Sequence, residues 1–167
     1  MSVPRTSDKR WVALLIAVLV IVVDRISKLW VVAHVPSGQA ITVIPRVFRI
    51  THVLNTGAAF SMFEESRNPN TVRYALIAFS LAAIAGVLIA LWRIGRTVTL
   101  TSVALSLILG GAAGNLYDRW RLHSVVDFLE VHIVHYHWPD FNAADSAIVV
   151  GACLLFLEVF RPQTGKV

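Results

Sequence analysis

The stretch YALIAFSLAAIAGVLIALW, Tyr74 to Trp92, runs without a single charge, and it restricts the fold more than anything else in the chain. A helix of about 20 mainly apolar residues crosses the roughly 30 Å hydrocarbon core of a bilayer. The Tyr and Trp at its two ends are amphipathic rings that favour the membrane interface. With 56% of 167 residues hydrophobic, 15% charged and a mean hydropathy of +0.68, the whole chain is too apolar for a soluble domain of its size.

Three further segments have the length and character of spans, giving helices expected at about 11–33, 73–92, 98–118 and 143–160. The first is interrupted by Asp24, Arg25 and Lys28, the third is rich in Ser, Thr and Gly, and the fourth stops at Arg161 and Pro162. Between the first two, residues 35–71 hold AITVIPRVFRITHVLNTGAAFSMF, whose alternation and Val, Ile, Thr and Phe content predict two or three short strands. No repeat or long linker divides the chain, so residues 1–167 read as one integral membrane domain: an α-helical protein of four transmembrane helices with a small outer β element. The basic start (Arg5, Lys9, Arg10) before an apolar run also fits a secretory signal peptide. Against that, VVDRISK stands where a small-residue cleavage site belongs, and three more spans follow. Cys153 has no partner for an internal disulfide and is expected to serve helix packing.

Four spans put both termini on one side. That side, with the link between helices 2 and 3, holds seven basic residues (Arg5, Lys9, Arg10, Arg93, Arg96, Arg161, Lys166). The other side holds six (Arg46, Arg49, Arg67, Arg73, Arg119, Arg121) spread over loops more than twice as long, so charge density predicts cytoplasmic termini. The net charge of +5 then reflects contact with anionic lipid headgroups, and nucleic acid is not implied.

In this orientation the polar residues gather at one level. Asp24 lies 13 residues after Trp11, about 20 Å along the helix and toward the outer leaflet. Lys28 follows at i+4, which makes an intrahelical pair the simple reading, although charges inside spans are costly and usually line a site. Gly110 and Gly114 fit a small-xxx-small packing face, but Asn115, Asp118 and Arg119 need another reason; Asp118 faces the negative end of the helix dipole and calls for a partner. Asp127, flanked by Val126 and Phe128, is a surface carboxylate on a strand or turn, or an acid held in an apolar site. In WPDFNAADSAIVVG, Asn142 reads as an N-cap and Asp145 as the N3 residue of helix 4. The inner half offers only flanking basic residues and Glu158.

The chemistry these residues permit is narrow. There is no GxGxxG, no P-loop and no Ser or Cys paired with His in a nucleophile motif. Glu130, His132, His135 and His137 are zinc-ligand types, but HExxH is absent and their spacing fits an alternating surface segment, so neither a metal nor any other cofactor is expected. Asp127 and Asp145 remain, and two carboxylates close enough to share a proton activate water without a metal. The dipole and free N–H groups at the start of helix 4 favour an ionised Asp145, and apolar neighbours favour a protonated Asp127. A non-enzymatic membrane scaffold or lipid-binding protein would use the same polar cluster to brace helices or hold a headgroup.

Five ordered motifs, DRISK, NTGAAFSMF, GGAAGNLYDR, VVDF and FNAAD, resemble those of the bacterial lipoprotein signal peptidases (signal peptidase II) over nearly the whole chain. The resemblance implies an aspartic intramembrane endopeptidase with a catalytic dyad at Asp127 and Asp145. It also implies a surrounding shell of Asp24, Lys28, Asn55, Gly57, Gly111, Asn115, Asp118, Arg119, Asn142 and Ala143. The implied substrates are diacylglyceryl-modified prolipoproteins, cut N-terminal to the lipidated cysteine at the outer leaflet of the bacterial cytoplasmic (inner) membrane. Membrane lipids are the other expected partners, and a monomer is expected.

Overall fold

A computed structural model of the chain describes residues 8–57, 68–94, 96–134 and 136–161. Outside these lie Arg5, Arg67 and Lys166 of the charge comparison, residues 58–63 of the NTGAAFSMF motif, His135 and Pro162. Among the described residues four helices and four strands follow one another in the order α1 (Arg10–His34), β1 (Ala40–Ile44), β2 (Phe48–Asn55), α2 (Pro69–Ile94), α3 (Leu100–Arg121), β3 (Val125–Ile133), β4 (Tyr136–Phe141) and α4 (Ala143–Val159).

The central helix is α3, which packs against α1, α2 and α4. Thr99 and Ser102 cap its start reciprocally, so it begins two residues later than Val98 and runs on to Arg121. Its buried residues include Ser102, Ser106, Gly110, Gly111, Gly114, Asn115 and Asp118, and α1 likewise buries Asp24 and Lys28. Meanwhile Leu15, Val18, Val22, Phe79, Leu81, Val149, Phe156 and many others point outward. The ordinary soluble pattern is inverted, with small and polar groups inside and apolar groups outside, as expected where lipid is the solvent.

Two helices, α2 and α3, are long and apolar enough to cross a membrane by length and composition. In α1 the charged residues Asp24, Arg25 and Lys28 break the apolar run, and α4 has 17 residues. Cβ atoms at two adjacent glycines would collide with backbone: Gly110 with the Ala17 carbonyl of α1, and Gly111 with the Ala144 carbonyl of α4. These glycines let α3 approach both neighbours closely. Cys153, expected in helix packing, instead lies exposed on α4.

The β element is larger than the sequence predicted. Strands β1 and β2 come from the first loop as expected, but β3 and β4 come from residues after α3, and together they form one antiparallel sheet of order β1-β2-β3-β4. The alternation of HIVHYHWPD, read from the sequence as a surface segment, belongs to these two paired strands, and the turn passes through Val134 at a positive φ of 59°, an uncommon conformation for a β-branched residue.

The sheet lies at the end of the bundle where α1 and α3 finish and α4 begins, joined to it by Val31, Val35 and Phe128 with Ile50, Leu129 and Ala143 packed around them. Toward the opposite end, Lys9 N–H donates to the Arg96 carbonyl (3.1 Å) and the Arg10 guanidinium covers the Trp92 ring at 4.2 Å. The start of α1 and the α2–α3 link therefore share one basic end.

Candidate active site

The junction of sheet and bundle gathers polar groups from five elements. Asn142 is the N-cap of α4: its side-chain oxygen accepts from Asp145 N–H (2.9 Å), and Asp145 Oδ2 accepts from Asn142 N–H (3.2 Å), a complete capping box. The Asn142 side-chain amide turns the other way and donates to Asp127 Oδ1 at 2.7 Å. One asparagine thus joins the two carboxylates, one on a strand and one at a helix N-terminus.

Asp127 is 2% exposed. Its apolar chain neighbours, Val126 and Phe128, do not describe what its carboxylate meets: Oδ2 accepts from Asn55 Nδ2 of β2 (2.9 Å) and Oδ1 from Asn142. Burial pushes its pKa up to about 7, and the neighbouring Asp145 charge pushes the same way. The hydrogen bonds from Asn55 and Asn142 and the charge of Lys28 oppose the rise without cancelling it. Asp145 is half-buried, and its Oδ1 accepts from Asn115 Nδ2 of α3 at 2.8 Å.

Behind this pair lies a buried ion cluster. Lys28 Nζ contacts Asp24 Oδ2 (2.9 Å), Asp118 Oδ2 (2.8 Å) and Asn115 Oδ1 (3.2 Å), and the three charged side chains are each 1–2% exposed. The i,i+4 pair read from the sequence is therefore only one side of a three-helix junction. Asp24 Oδ1 also accepts from Ala144 N–H of α4 (3.0 Å), which fixes the helix that carries Asp145. Asp118, whose place at a helix C-terminus demanded a partner, has Lys28, a longer contact to Arg25 Nη1 (3.4 Å) and Val126 N–H (3.4 Å). Asn115 links the two groups, because its carbonyl receives Lys28 and the Asn142 amide (3.3 Å) while its own amide serves Asp145.

The remaining residues expected at the site lie close by. Gly57 N–H donates to Asn55 Oδ1 (2.8 Å), and Arg119 Nη2 donates to the Gly57 carbonyl (3.3 Å), so Arg119 leaves the end of α3 to hold the chain leaving β2. Gly111 and Ala143 were expected in the polar shell. Gly111 instead lies against the Ala144 backbone as a packing residue, and Ala143 is the first residue of α4, packed beside the Val31, Val35 and Phe128 cluster. Arg25 and the Ala144 N–H are members that sequence reasoning missed. A backbone N–H carries no residue signature, while the position of Arg25 one residue after Asp24 was a usable signal.

Among the described residues, the hydrogen-bond donors to the Asp127 and Asp145 carboxylates are the side-chain amides of Asn55, Asn142 and Asn115 and the Asn142 N–H. The metal-ligand types collect elsewhere among the described residues, where Glu130, His132 and His137 bring one ligand atom each within 4.8 Å of one another. Two carboxylates bridged by an amide, one buried and one half-open, suit proton transfer to and from a water held between them.

Comparison with known proteins gives a consistent result. The family model for signal peptidase (SPase) II matches residues 16–161. Proteins described as lipoprotein signal peptidase include one from Pseudomonas fluorescens, 44% identical over 153 residues (90% of this chain and 89% of that one). Another, from Pseudomonas aeruginosa, is 46% identical over 149 residues (89% and 87%), and one from Solibacter usitatus is 40% identical over 156 residues (93% and 94%). Among solved structures, one described as a bacterial membrane enzyme superposes with a TM-score of 0.81 at 27% identity, covering 93% of this chain and 92% of its own. A second under the same description gives 0.78 at 28% identity, covering 91% and 94%.

Proposed function

This chain belongs to the signal peptidase II family, the aspartic peptidases that process prolipoprotein signal peptides, and from that premise we propose that Asp127 and Asp145 are its catalytic dyad. The observation that carries the proposal is the Asn142 bridge between a buried carboxyl whose pKa is raised to about 7 and a second carboxylate at the first turn of α4. In this reading Asp127 enters the reaction protonated, as the acid, and Asp145 is the base. Asp145 takes a proton from water as the oxygen attacks the scissile carbonyl carbon, and Asp127 gives its proton to the carbonyl oxygen. The C–N bond then breaks as Asp145 passes its proton to the leaving amine, and the hydroxyl proton returns to Asp127 as the carboxylic acid forms.

We also read α1 to α4 as four membrane spans of a single domain in the cytoplasmic membrane, with cytoplasmic termini. The outward apolar faces of α1, α2 and α4 around the apolar, central α3 support this, as does the clustering of Arg10, Arg93 and Arg96 at the end away from the sheet. The dyad then sits toward the outer leaflet, where the peptide bond N-terminal to a diacylglyceryl-modified cysteine is presented. The surrounding polar residues act by position. Lys28, Asp24, Asp118 and Asn115 orient α4 and Asp145, while Asn55, held by the Gly57 turn and Arg119, orients Asp127.

The test is cleavage of a purified diacylglyceryl-modified precursor, followed by its size shift. Asp127→Asn and Asp145→Asn are each expected to fold and to lose roughly 10²–10⁴-fold or more in rate. Cleavage at the wild-type rate by either variant would sink the dyad assignment, and cleavage that stops in a strong chelator would favour a metalloprotease using the histidines.

A further inference from the structure

The cluster of Glu130, His132 and His137 lies on the sheet and takes no part in the chemistry above. Strand pairing sets its geometry: His132 of β3 stands opposite His137 of β4, and Arg49 of β2 stands opposite Glu130. Both imidazoles bring Nε2 to one oxygen, Glu130 Oε1, at 3.0 Å from His132 and 2.7 Å from His137, and their rings lie 5.1 Å apart. Glu130 is buried while both histidine side chains are partly open to solvent, so a fixed carboxylate lies beneath two partly exposed imidazoles. Arg49 grips the same carboxylate, its Nε donating to Oε2 and its Nη2 to the Oε1 that the imidazoles approach, which holds the Glu130 carboxyl below the usual carboxylate range.

We infer that Glu130, His132 and His137 form a divalent-cation site on the outer sheet, of the borderline class that prefers imidazole with carboxylate, Zn²⁺ above all. Two nitrogens and one carboxylate oxygen are the His₂Glu donor set of zinc sites. Tetrahedral donors around zinc stand about 3.3 Å apart given roughly 2.0–2.1 Å Zn–N distances, and the three ligand atoms here already lie within 4.8 Å of one another. Small side-chain rotations close that difference without moving the strands. Calcium and magnesium do not suit the site, because they take oxygen ligands in larger numbers. Arg49 has two opposing effects: it orients the ligating carboxylate in the manner of outer-shell partners, and its positive charge weakens cation binding. A bound cation would tie β3 to β4 beside the segment that runs through Phe141 into the Asn142 cap.

Equilibrium dialysis of tag-free, full-chain protein in detergent against Zn²⁺ alone, with bound metal counted by mass spectrometry, tests this directly. One Zn²⁺ per chain is expected near neutral pH. The double variant His132→Ala, His137→Ala is expected to lose affinity at least roughly 10- to 100-fold, and Arg49→Gln to gain it. Precursor cleavage by the double variant stays at the wild-type level, so failure here is separate from failure of the dyad. Equal Zn²⁺ binding by wild type and the double variant, or no stoichiometric binding by a folded, active wild type, would overturn the site.

Discussion

Asp127→Asn has a consequence for stability that is separate from catalysis. The Asp127 carboxyl moves from an ordinary pKa of 3.8 to about 7 on folding. Across that interval the folded protein binds more protons than the unfolded chain, so stability falls as pH rises through it. Each tenfold change in the protonation equilibrium is worth about 1.4 kcal/mol, so the interval amounts to about 4 kcal/mol. Burial, the largest cause, disfavours the charged form, and with a residue 2% exposed little solvent screening reduces the figure. Asparagine is close to a permanent copy of the protonated acid: it accepts through one oxygen and presents hydrogens at the other position, so one of the two amide contacts from Asn55 and Asn142 is compromised in both. The variant should therefore match wild type near pH 4 and become more stable as pH rises, by about 4 kcal/mol above pH 7. Denaturant titration of both proteins in detergent across pH 4 to 8 reads this difference, and pH effects common to both cancel. A stability difference that stays constant with pH would refute the account of Asp127 as a buried carboxyl that folding keeps protonated. The same titration should set the alkaline limb of kcat/KM near pH 7 in the wild type.

Two structural variants probe the support of the site. Lys28→Met removes the cation shared by Asp24 and Asp118 at 2.9 and 2.8 Å, and is expected to cost about 3–5 kcal/mol because two buried carboxylates lose their shared ammonium, Asp118 keeping only the longer contact to Arg25 as a charge partner; a loss below about 1 kcal/mol in denaturant titration would show that water reaches the cluster. Gly111→Ala places a methyl group against the Ala144 carbonyl and Ile148, and is expected to cost about 1–3 kcal/mol by overpacking and to lower kcat by shifting the turn that carries Asp145. Unchanged unfolding and cleavage would mean that α4 moves away freely.

The parts of this molecule that could be read from its sequence are those whose signal is local. An uncharged run such as Tyr74 to Trp92 declares a long apolar helix because nothing in it interrupts the pattern, and α2 is such a helix; Asn142 with Asp145 declares a helix start because a capping box closes over four residues. Asp24 and Lys28 were half legible: their i,i+4 spacing predicts the pair, but the same ammonium serves Asp118, 90 positions along, and only α3 packing on α1 brings that about. Strands β3 and β4 were half legible as well: the alternation around the histidines marks an extended surface segment, but the pairing of β3 with β2 joins it to residues far along the chain. Asp127 and Glu130 are buried polar residues on β3 because each meets a partner on another strand or helix. The apolar neighbours of Asp127 in VVDF suggested an apolar pocket, whereas its carboxylate meets Asn55 and Asn142, which lie 72 and 15 residues away. Sequence neighbours describe the backbone's route through the sheet, while the side chain answers to residues that the fold delivers from elsewhere. It follows that the raised pKa of Asp127 belongs to the assembled site. Variants that loosen α4 without touching the carboxyl, Gly111→Ala among them, should bring that pKa back toward 3.8 as water enters.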